Sequence, residues 1–194
     1  MLTRRALLVS LAALATPARA RPTPYVLDPG ASHVGFSFRL MGGLQRGDMP
    51  VTRADLVVDP ADLAASTADV IVNPARARTG FFFVTDTLKS PAVLDTARFP
   101  DIRFTSTAVR LAPTGRLSDG AALIGNLTVR DVTRPVTLDA ALFRPPGTAP
   151  DDLSVLTITL NGQISRAAFG ATGYPEAVDD TIWLEITATI RATG

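Results

Sequence analysis

The sequence predicts an all-β protein, namely an antiparallel barrel or sandwich of about eight strands with one or two short helices. Apolar and polar residues alternate along most of the chain. This period of two is typical of strands that bury one face. Turn signals such as Gly42-Gly43 and Asp59-Pro60 separate the alternating segments. Because no repeat or linker divides the chain, we expect one domain over residues 21–194.

The strand signal is clearest near the C-terminus. In the segment 156–164, Ile158 and Leu160 share the apolar face, and polar residues such as Thr159 take the other face. Residues 33–40 place Phe36 and Phe38 on one face in the same way. The predicted strands, in chain order, are 25–28, 33–40, 55–59, 68–73, 102–105, 123–130, 136–143, 156–164 and 182–190.

Helical character is confined to residues 79–97. Phe81, Phe82 and Phe83 are consecutive there, and Pro91 breaks the segment. Three consecutive aromatic residues cannot all lie on one narrow stripe of a helix. We expect one or two short helices, whose phenylalanines either pack on an ordinary core or close a lumen as an aromatic lid.

The composition excludes several classes of function. The chain has 19 Lys and Arg, 18 Asp and Glu, 1 His and no Cys. Charges this balanced, without a basic run, do not favour nucleic-acid binding. Without cysteine there is no thiolate ligand or cysteine nucleophile, and a lone histidine cannot build a site of several imidazoles. We therefore expect no metal and no cofactor.

The N-terminus is typical of an export signal. Arg4 and Arg5 precede an apolar run over residues 6–15, and Ala18 and Ala20 supply the small residues of a cleavage site. This run is shorter than the roughly 20 residues that a membrane-spanning helix needs, and no other segment is long enough. We expect residues 1–20 to be a signal peptide cleaved near Ala20, which predicts a periplasmic or secreted protein. Both the general secretory route and the twin-arginine route remain open.

Candidate catalytic residues are few. Ser32 adjoins His33, but neighbours on a strand point to opposite faces, so they are poorly placed as a nucleophile and its base. A hydrogen-bonded structural role is the favoured interpretation of His33. We therefore expect no catalytic residues and no enzyme. Carboxylates beside turns or helices are expected to cap them; they are Asp28, Asp55, Asp59, Asp62 and Asp86.

Apolar side chains are the feature of the chain most suited to binding a ligand. Phenylalanine contributes 9 aromatic residues, against 2 Tyr and 1 Trp. These side chains offer area without a polar group. Eight-stranded barrels are either packed with side chains or hold a ligand. The residues alone leave both alternatives open.

Short motifs follow one another in order across nearly the whole chain after the leader. They are Leu27-Asp28-Pro29, Val34-Gly35-Phe36, Leu88-Lys89-Ser90, 98–107, 125–129, 132–138, and Ile164-Ser165-Arg166 with Phe169-Gly170. In this order and spacing, the chain resembles the YceI-like family of periplasmic polyisoprenoid-binding proteins.

The resemblance implies a lipocalin-like, eight-stranded antiparallel β-barrel whose lumen holds an isoprenoid chain, and it implies no catalytic residues. The chain departs from the family pattern at two places. The family usually carries a polar Thr-Gly-Asn followed by Arg-Asp, whereas here Thr79-Gly80 runs into Phe81-Phe82-Phe83, so the asparagine and the arginine are replaced. Ala167-Ala168 replaces a polar pair. These departures concern contacts with a ligand's head group rather than the fold.

The expected function is therefore non-enzymatic sequestration or transport of a long apolar isoprenoid, either a quinone or a polyprenyl lipid. A ligand-free, filled barrel that acts as a structural or protein-interaction module is the alternative, and the sequence leaves a homodimer open. The residues expected to bind the lipid are apolar residues of inward parity, the consecutive phenylalanines and one aromatic of the last motif. They are Phe36, Phe38, Phe81, Phe82, Phe83, Phe104, Leu127, Leu138, Ile158, Leu160, Phe169, Leu184 and Ile186.

Overall fold

Eleven antiparallel strands form one continuous sheet in the computed structural model, which describes residues 22–113, 120–149 and 151–193. The expected signal peptide and the expected N-terminal Arg21 lie outside the described residues. The strands are β1 (Thr23–Leu27), β2 (His33–Leu40), β3 (Gly43–Asp48), β4 (Val51–Val58), β5 (Thr67–Val72), β6 (Arg78–Thr79), β7 (Ile102–Leu111), β8 (Ala121–Val129), β9 (Val132–Phe143), β10 (Val155–Ser165) and β11 (Thr181–Ala192).

The sheet closes on itself through β1. Tyr25 of β1 stands opposite Leu56 of β4 on one side and opposite Ala192 of β11 on the other. The ring runs β1, β4, β5, β7, β8, β9, β10, β11 and back to β1. This confirms the predicted eight-stranded antiparallel barrel. Closure leaves the ring without an open edge and encloses an interior.

Strands β1 and β2 lie one after the other along the same edge of β11. Strand β11 pairs with β1 at Ile190 and with β2 at Leu184. Between the two pairings, the Ser32 hydroxyl accepts a hydrogen bond from the Thr189 N–H at 3.0 Å. This contact bridges the break in the ladder, so β1 and β2 act as one bent strand of the barrel.

Alternation does not predict β3, and it predicts β4 only from residue 55. Strand β3 reads GLQRGD and has no apolar face. A two-residue turn holds it against β2, with Met41 at φ 50° and Gly42 at φ 80°. Such turns require positive φ at both central residues. Backbone pairing with β2 and with β6, rather than a side-chain pattern, therefore defines β3.

One α-helix, α1 (Phe82–Lys89), occurs in the described ranges, within the expected one or two. It lies at the end of the barrel where β2 ends and β11 begins. Val84 is its buried residue and packs in one cluster with Phe36 and Phe38. The Thr79 N–H donates to the Thr85 hydroxyl at 3.0 Å, which ties the helix to β6.

Side chains fill the opposite end of the barrel. Tyr25, Val58, Leu156 and Ile190 form a buried cluster there. The Tyr25 hydroxyl donates to the Leu153 carbonyl at 2.8 Å, and burial raises the pKa of Tyr25. This packed cluster closes one end of the barrel interior.

Candidate functional site

A cavity of about 460 Å³ lies inside the barrel, between α1 and the packed cluster. Small-molecule sites commonly span about 300–1,000 Å³ and are mostly apolar. Polar side chains on this wall are confined to Ser32, Thr87, Arg166, Tyr174 and Thr187. All other wall residues that the structure describes are apolar or glycine, and none of them is Asp, Glu, Lys or His. The cavity is therefore suited to a ligand with few polar groups.

Most of the residues predicted to bind lipid lie on this wall. Their assignment as lipid contacts stays a prediction, since only their position is observed. Those on the wall are Phe36, Phe38, Phe83, Phe104, Leu127, Leu138, Ile158, Leu160, Phe169, Leu184 and Ile186.

Phe81 and Phe82 lie away from the wall and are exposed. Helix α1 begins at Phe82, and successive helical residues point in directions about 100° apart. With Val84 turned inward, only Phe83 of the three reaches the cavity. The expected aromatic lid is thus a single phenylalanine, and two rings face outward.

Part of the wall is less tightly packed than the closed end of the barrel. At the closed end, Leu156 is 1% exposed and Ile190 is 0% exposed. Ile158, Leu160, Leu184 and Ile186 have the same inward parity but are only partly buried, because they face the cavity. Side chains therefore fill the barrel around Leu156 and leave a lumen beside Leu160. Other residues of the wall are buried in two clusters near α1; they are Phe36, Phe38 and Val84 in one, and Leu94, Leu127, Val129 and Phe169 in the other.

Sequence reasoning missed two groups of wall residues. Val70 of β5 and Leu123 of β8 share the inward parity of their strands, so the alternation could have found them. Tyr174, Ala177 and Val178 come from the segment between β10 and β11, which has no periodic pattern. Only the folded loop brings this second group to the cavity mouth.

Arg166 holds that loop in place. Its guanidinium is buried and donates to four backbone carbonyls: Ala171 at 2.5 Å, Gly173 at 2.7 Å, Val178 at 2.9 Å and Asp179 at 3.2 Å. No carboxylate lies within ion-pairing distance of Arg166 among the described residues. This cation is therefore satisfied by carbonyl dipoles at the edge of the cavity.

Asp180 supports the start of the same loop. Its carboxylate accepts the Ala167 N–H at 2.9 Å. The pKa of Asp180 is lowered, chiefly by a hydrogen bond from the Ser165 side chain and further by the Ala167 amide. Ala167 and Ala168, which replace the polar pair expected from the family pattern, are exposed and do not line the cavity.

Of the two candidate catalytic residues, Ser32 lines the cavity and His33 is not on its wall. His33 is exposed, and its ring lies against Gly35. The ring makes no hydrogen bond within the described part of the chain, unlike the expected hydrogen-bonded histidine. Asp28, Asp59 and Asp62 accept backbone N–H groups in turns, as predicted, whereas Asp55 pairs with Arg53 on β4. Within the described ranges, no group of three or more His, Asp or Glu could hold a metal ion.

Comparison with known proteins identifies the family. The YceI-like domain matches residues 25–190, and the chain belongs to this family. The UPF0312 protein of Yersinia pestis (strain Pestoides F) is 36% identical over 73 residues, which cover 38% of this chain and 35% of that protein. Protein YceI of Salmonella arizonae is 43% identical over 56 residues, or 29% of this chain and 27% of that protein. These alignments thus span about a third of the curated relatives.

Solved structures share the fold at low sequence identity. BcnA of Burkholderia cenocepacia has a TM-score of 0.74 at 19% identity, and the match covers 84% of this chain and 99% of BcnA. A polyisoprenoid-binding domain of Saccharophagus degradans, implicated in plant cell wall breakdown, has a TM-score of 0.61 at 14% identity, covering 88% and 99%. No helix in the described residues is long and apolar enough to cross a membrane.

Proposed function

We propose that this protein is a non-enzymatic carrier that holds a long apolar isoprenoid, a quinone or a polyprenyl lipid, in the lumen of its barrel. The apolar wall of the 460 Å³ cavity carries this proposal. The related domain from Saccharophagus degradans is described as polyisoprenoid-binding, which supports the same class of ligand here.

The physical chemistry of an isoprenoid fits such a wall. A prenyl chain has no polar groups, so its affinity must come from apolar area removed from water, at roughly 25 cal/mol per Å². Walls of Phe104, Leu160 and Ile186 supply that area without burying polar atoms that would lose their hydrogen bonds. A preformed barrel also limits the ordering cost of binding.

The same wall argues against catalysis on the ligand. General acid–base chemistry needs a titratable group within reach of the reacting atoms. Among its described residues the cavity wall has no His, Asp, Glu or Lys, and its one tyrosine, Tyr174, is exposed at the mouth. The Ser32 hydroxyl is engaged with the backbone of Thr189. Binding and release, with the mouth between α1 and the Arg166 loop as the point of exchange, is the function that these residues support.

The decisive experiment combines ligand extraction with a change to the wall. Solvent extracts of the purified protein are analysed by mass spectrometry, for the wild type and for Leu160→Trp. We expect an isoprenoid in the wild type and a several-fold lower amount per chain in Leu160→Trp, with an unchanged circular dichroism spectrum. Asn161→Trp is the matched control, because Asn161 is exposed on the outer face of the same strand.

Two results would contradict the carrier. One is a wild type whose extracts contain no isoprenoid. The other is a Leu160→Trp variant that loses about 1–3 kcal/mol of stability from overpacking while its lipid content stays unchanged. The latter result would favour a filled barrel that acts as a structural module.

We also propose that the carrier works outside the cytoplasm. The basic and apolar pattern of residues 1–20 supports export. The absence of cysteine is compatible with an oxidising compartment, because the barrel needs no disulfide.

A further inference from the structure

Three consecutive phenylalanines form the most exposed aromatic group of the described chain. Phe81 is 54% exposed, Phe82 is 81% exposed and Phe83 is 63% exposed. The Phe81 and Phe83 rings lie 5.7 Å apart between centroids. We call these three residues the phenylalanine tip. Exposed large apolar patches on a soluble domain commonly mark an interaction surface.

The phenylalanine tip stands at the cavity mouth. Phe83 and Tyr174 are the only residues of the described wall that are also exposed. Met41, at the turn between β2 and β3, lies on the same rim, because its N–H donates to the Ala177 carbonyl and the Ala177 N–H donates to that of Tyr174. The tip therefore reaches the cavity wall through Phe83, which belongs to both.

The arrangement of the tip favours a fluid partner over a folded one. A helix that docks in a protein groove presents one stripe of residues. Here Phe81 precedes the helix, and its ring lies beside that of Phe83 with centroids 5.7 Å apart, so the three residues do not form a helical stripe. A hydrocarbon medium can solvate such an irregular group of rings, whereas a groove shaped for a helical stripe cannot.

The size of the tip also speaks against a stable interface with a second copy. A phenylalanine buries at most about 250 Å². Even if all three rings of the tip were completely covered, they would supply less than the roughly 800 Å² per partner of a standard protein interface.

The charges around the rim do not select an anionic surface. Exposed groups of both signs lie on the elements that form it. They include Arg39, Arg46 and Arg78 on β2, β3 and β6, and Asp86, Glu176 and Asp179 on α1 and the loop before β11. Because both signs occur there, the attraction that we propose is apolar rather than electrostatic.

We propose that the phenylalanine tip inserts into a lipid bilayer and seats the cavity mouth on the membrane. Residues with an apolar body partition into the boundary between head groups and acyl chains, and binding scales with the apolar area buried there. The proposal rests on the carrier function, because a membrane is where an isoprenoid ligand resides. It adds a docking surface that the cavity itself does not require.

The test is flotation of the purified protein with phosphatidylcholine vesicles. We expect the wild type to float with these uncharged vesicles, and 0.5 M NaCl to leave the floating fraction unchanged. The double variant Phe81→Ser with Phe82→Ser should lower partitioning at least tenfold. Neither residue lines the cavity, so the lipid content of the variant should equal that of the wild type. Phe143→Ser is the control, since Phe143 is exposed but lies at the end of β9 away from the mouth.

Three outcomes would overturn the docking proposal. The first is a wild type that does not float, and the second is a double variant that floats as well as the wild type. The third is a wild-type dimer in analytical ultracentrifugation that the double variant abolishes, which would assign the tip to self-association. A wild type that floats but yields no isoprenoid would instead refute the carrier and leave the docking surface standing.

Discussion

The ring of Phe104 lies over Gly125 of the neighbouring strand, in space that a larger residue would occupy. A β-carbon at position 125 would lie 2.5 Å from Cζ of that ring. Two other sites repeat the relationship. A β-carbon at Gly47 would lie 2.4 Å from Cζ of Phe36, and one at Gly162 would lie 2.6 Å from Cδ2 of Leu138. At three positions, a glycine thus leaves the space that a bulky side chain of the lumen wall occupies.

The first prediction concerns this contact. Gly125→Ala should destabilise the protein by about 1–3 kcal/mol, because the new methyl group overpacks the wall against the Phe104 ring and the Thr105 carbonyl, which would lie 2.6 Å away. Urea unfolding measures the change. Gly80→Ala is the control and should leave stability nearly unchanged, because nothing lies within 4 Å of its β-carbon position. Equal stability of wild type and Gly125→Ala would mean that the ring moves aside freely.

The second prediction is that Arg166 stabilises the loop at the cavity mouth through its hydrogen bonds and not only through its charge. Arg166→Lys retains the charge but cannot reach four carbonyls at once, which leaves several buried acceptors unpaired. We expect a loss of at least about 2 kcal/mol in urea unfolding and faster proteolysis within residues 171–179. Arg134→Lys should have little effect, because Arg134 is exposed and makes one long bond to the Ala168 carbonyl. Unchanged proteolysis of Arg166→Lys would contradict the anchoring role.

Acid should weaken the same region through Asp180. Its pKa is lower in the folded protein than the unfolded value of about 3.9. The stabilisation is therefore complete above about pH 4 and is lost as the pH falls through the folded pKa. Asp180→Asn keeps an acceptor for the Ala167 N–H but does not titrate.

Stability measured by urea unfolding between pH 5 and pH 3 tests this prediction. The decline over this range should be smaller in Asp180→Asn than in the wild type, and Asp101→Asn, which changes an exposed carboxyl, should behave as the wild type does. Asp28, Asp69 and Asp152 also have lowered pKa values, so part of the acid sensitivity should remain in every variant. Parallel curves for the wild type and Asp180→Asn would argue against the assignment.

Export is tested by the mass of the processed chain. Protein recovered from a periplasmic extract should begin at Arg21, because Ala18 and Ala20 present small residues to the signal peptidase. Intact-mass measurement decides this, and a chain there that still carries Met1 would refute cleavage. Replacing Arg4 and Arg5 by lysine preserves charge, so it should block export only if the twin-arginine route is used.

Alternation predicted most of the ring because one parity of each strand must face the interior. It located β2, β8, β10 and β11 and placed residues such as Leu160 and Leu184 on the wall. It could not find β3, whose position depends on the turn at Met41 and Gly42 and on backbone pairing. Nor could it show which parts of the interior are packed, since Leu156 and Leu160 have the same pattern but different surroundings.

The mouth is the part of the site that sequence patterns describe least. Tyr174 and Val178 lie in a loop whose sequence has no apolar periodicity. The course of this loop depends on the hydrogen bonds that Arg166 donates to its backbone carbonyls. Phe81 and Phe82 face outward because α1 begins at Phe82. The sequence does not mark this helix start, because Phe81 stands at the N-cap position and has no side chain that can cap the helix.

The packed cluster around Leu156 and Ile190 closes the lumen at one end. A chain molecule can enter a lumen closed at one end only with one of its ends first. The segment that enters last must also leave first. If the ligand is the isoprenoid proposed above, any length beyond the depth of the lumen would project past Phe83 and Tyr174. Such a barrel would hold the tail and leave the other end of the ligand accessible to an acceptor.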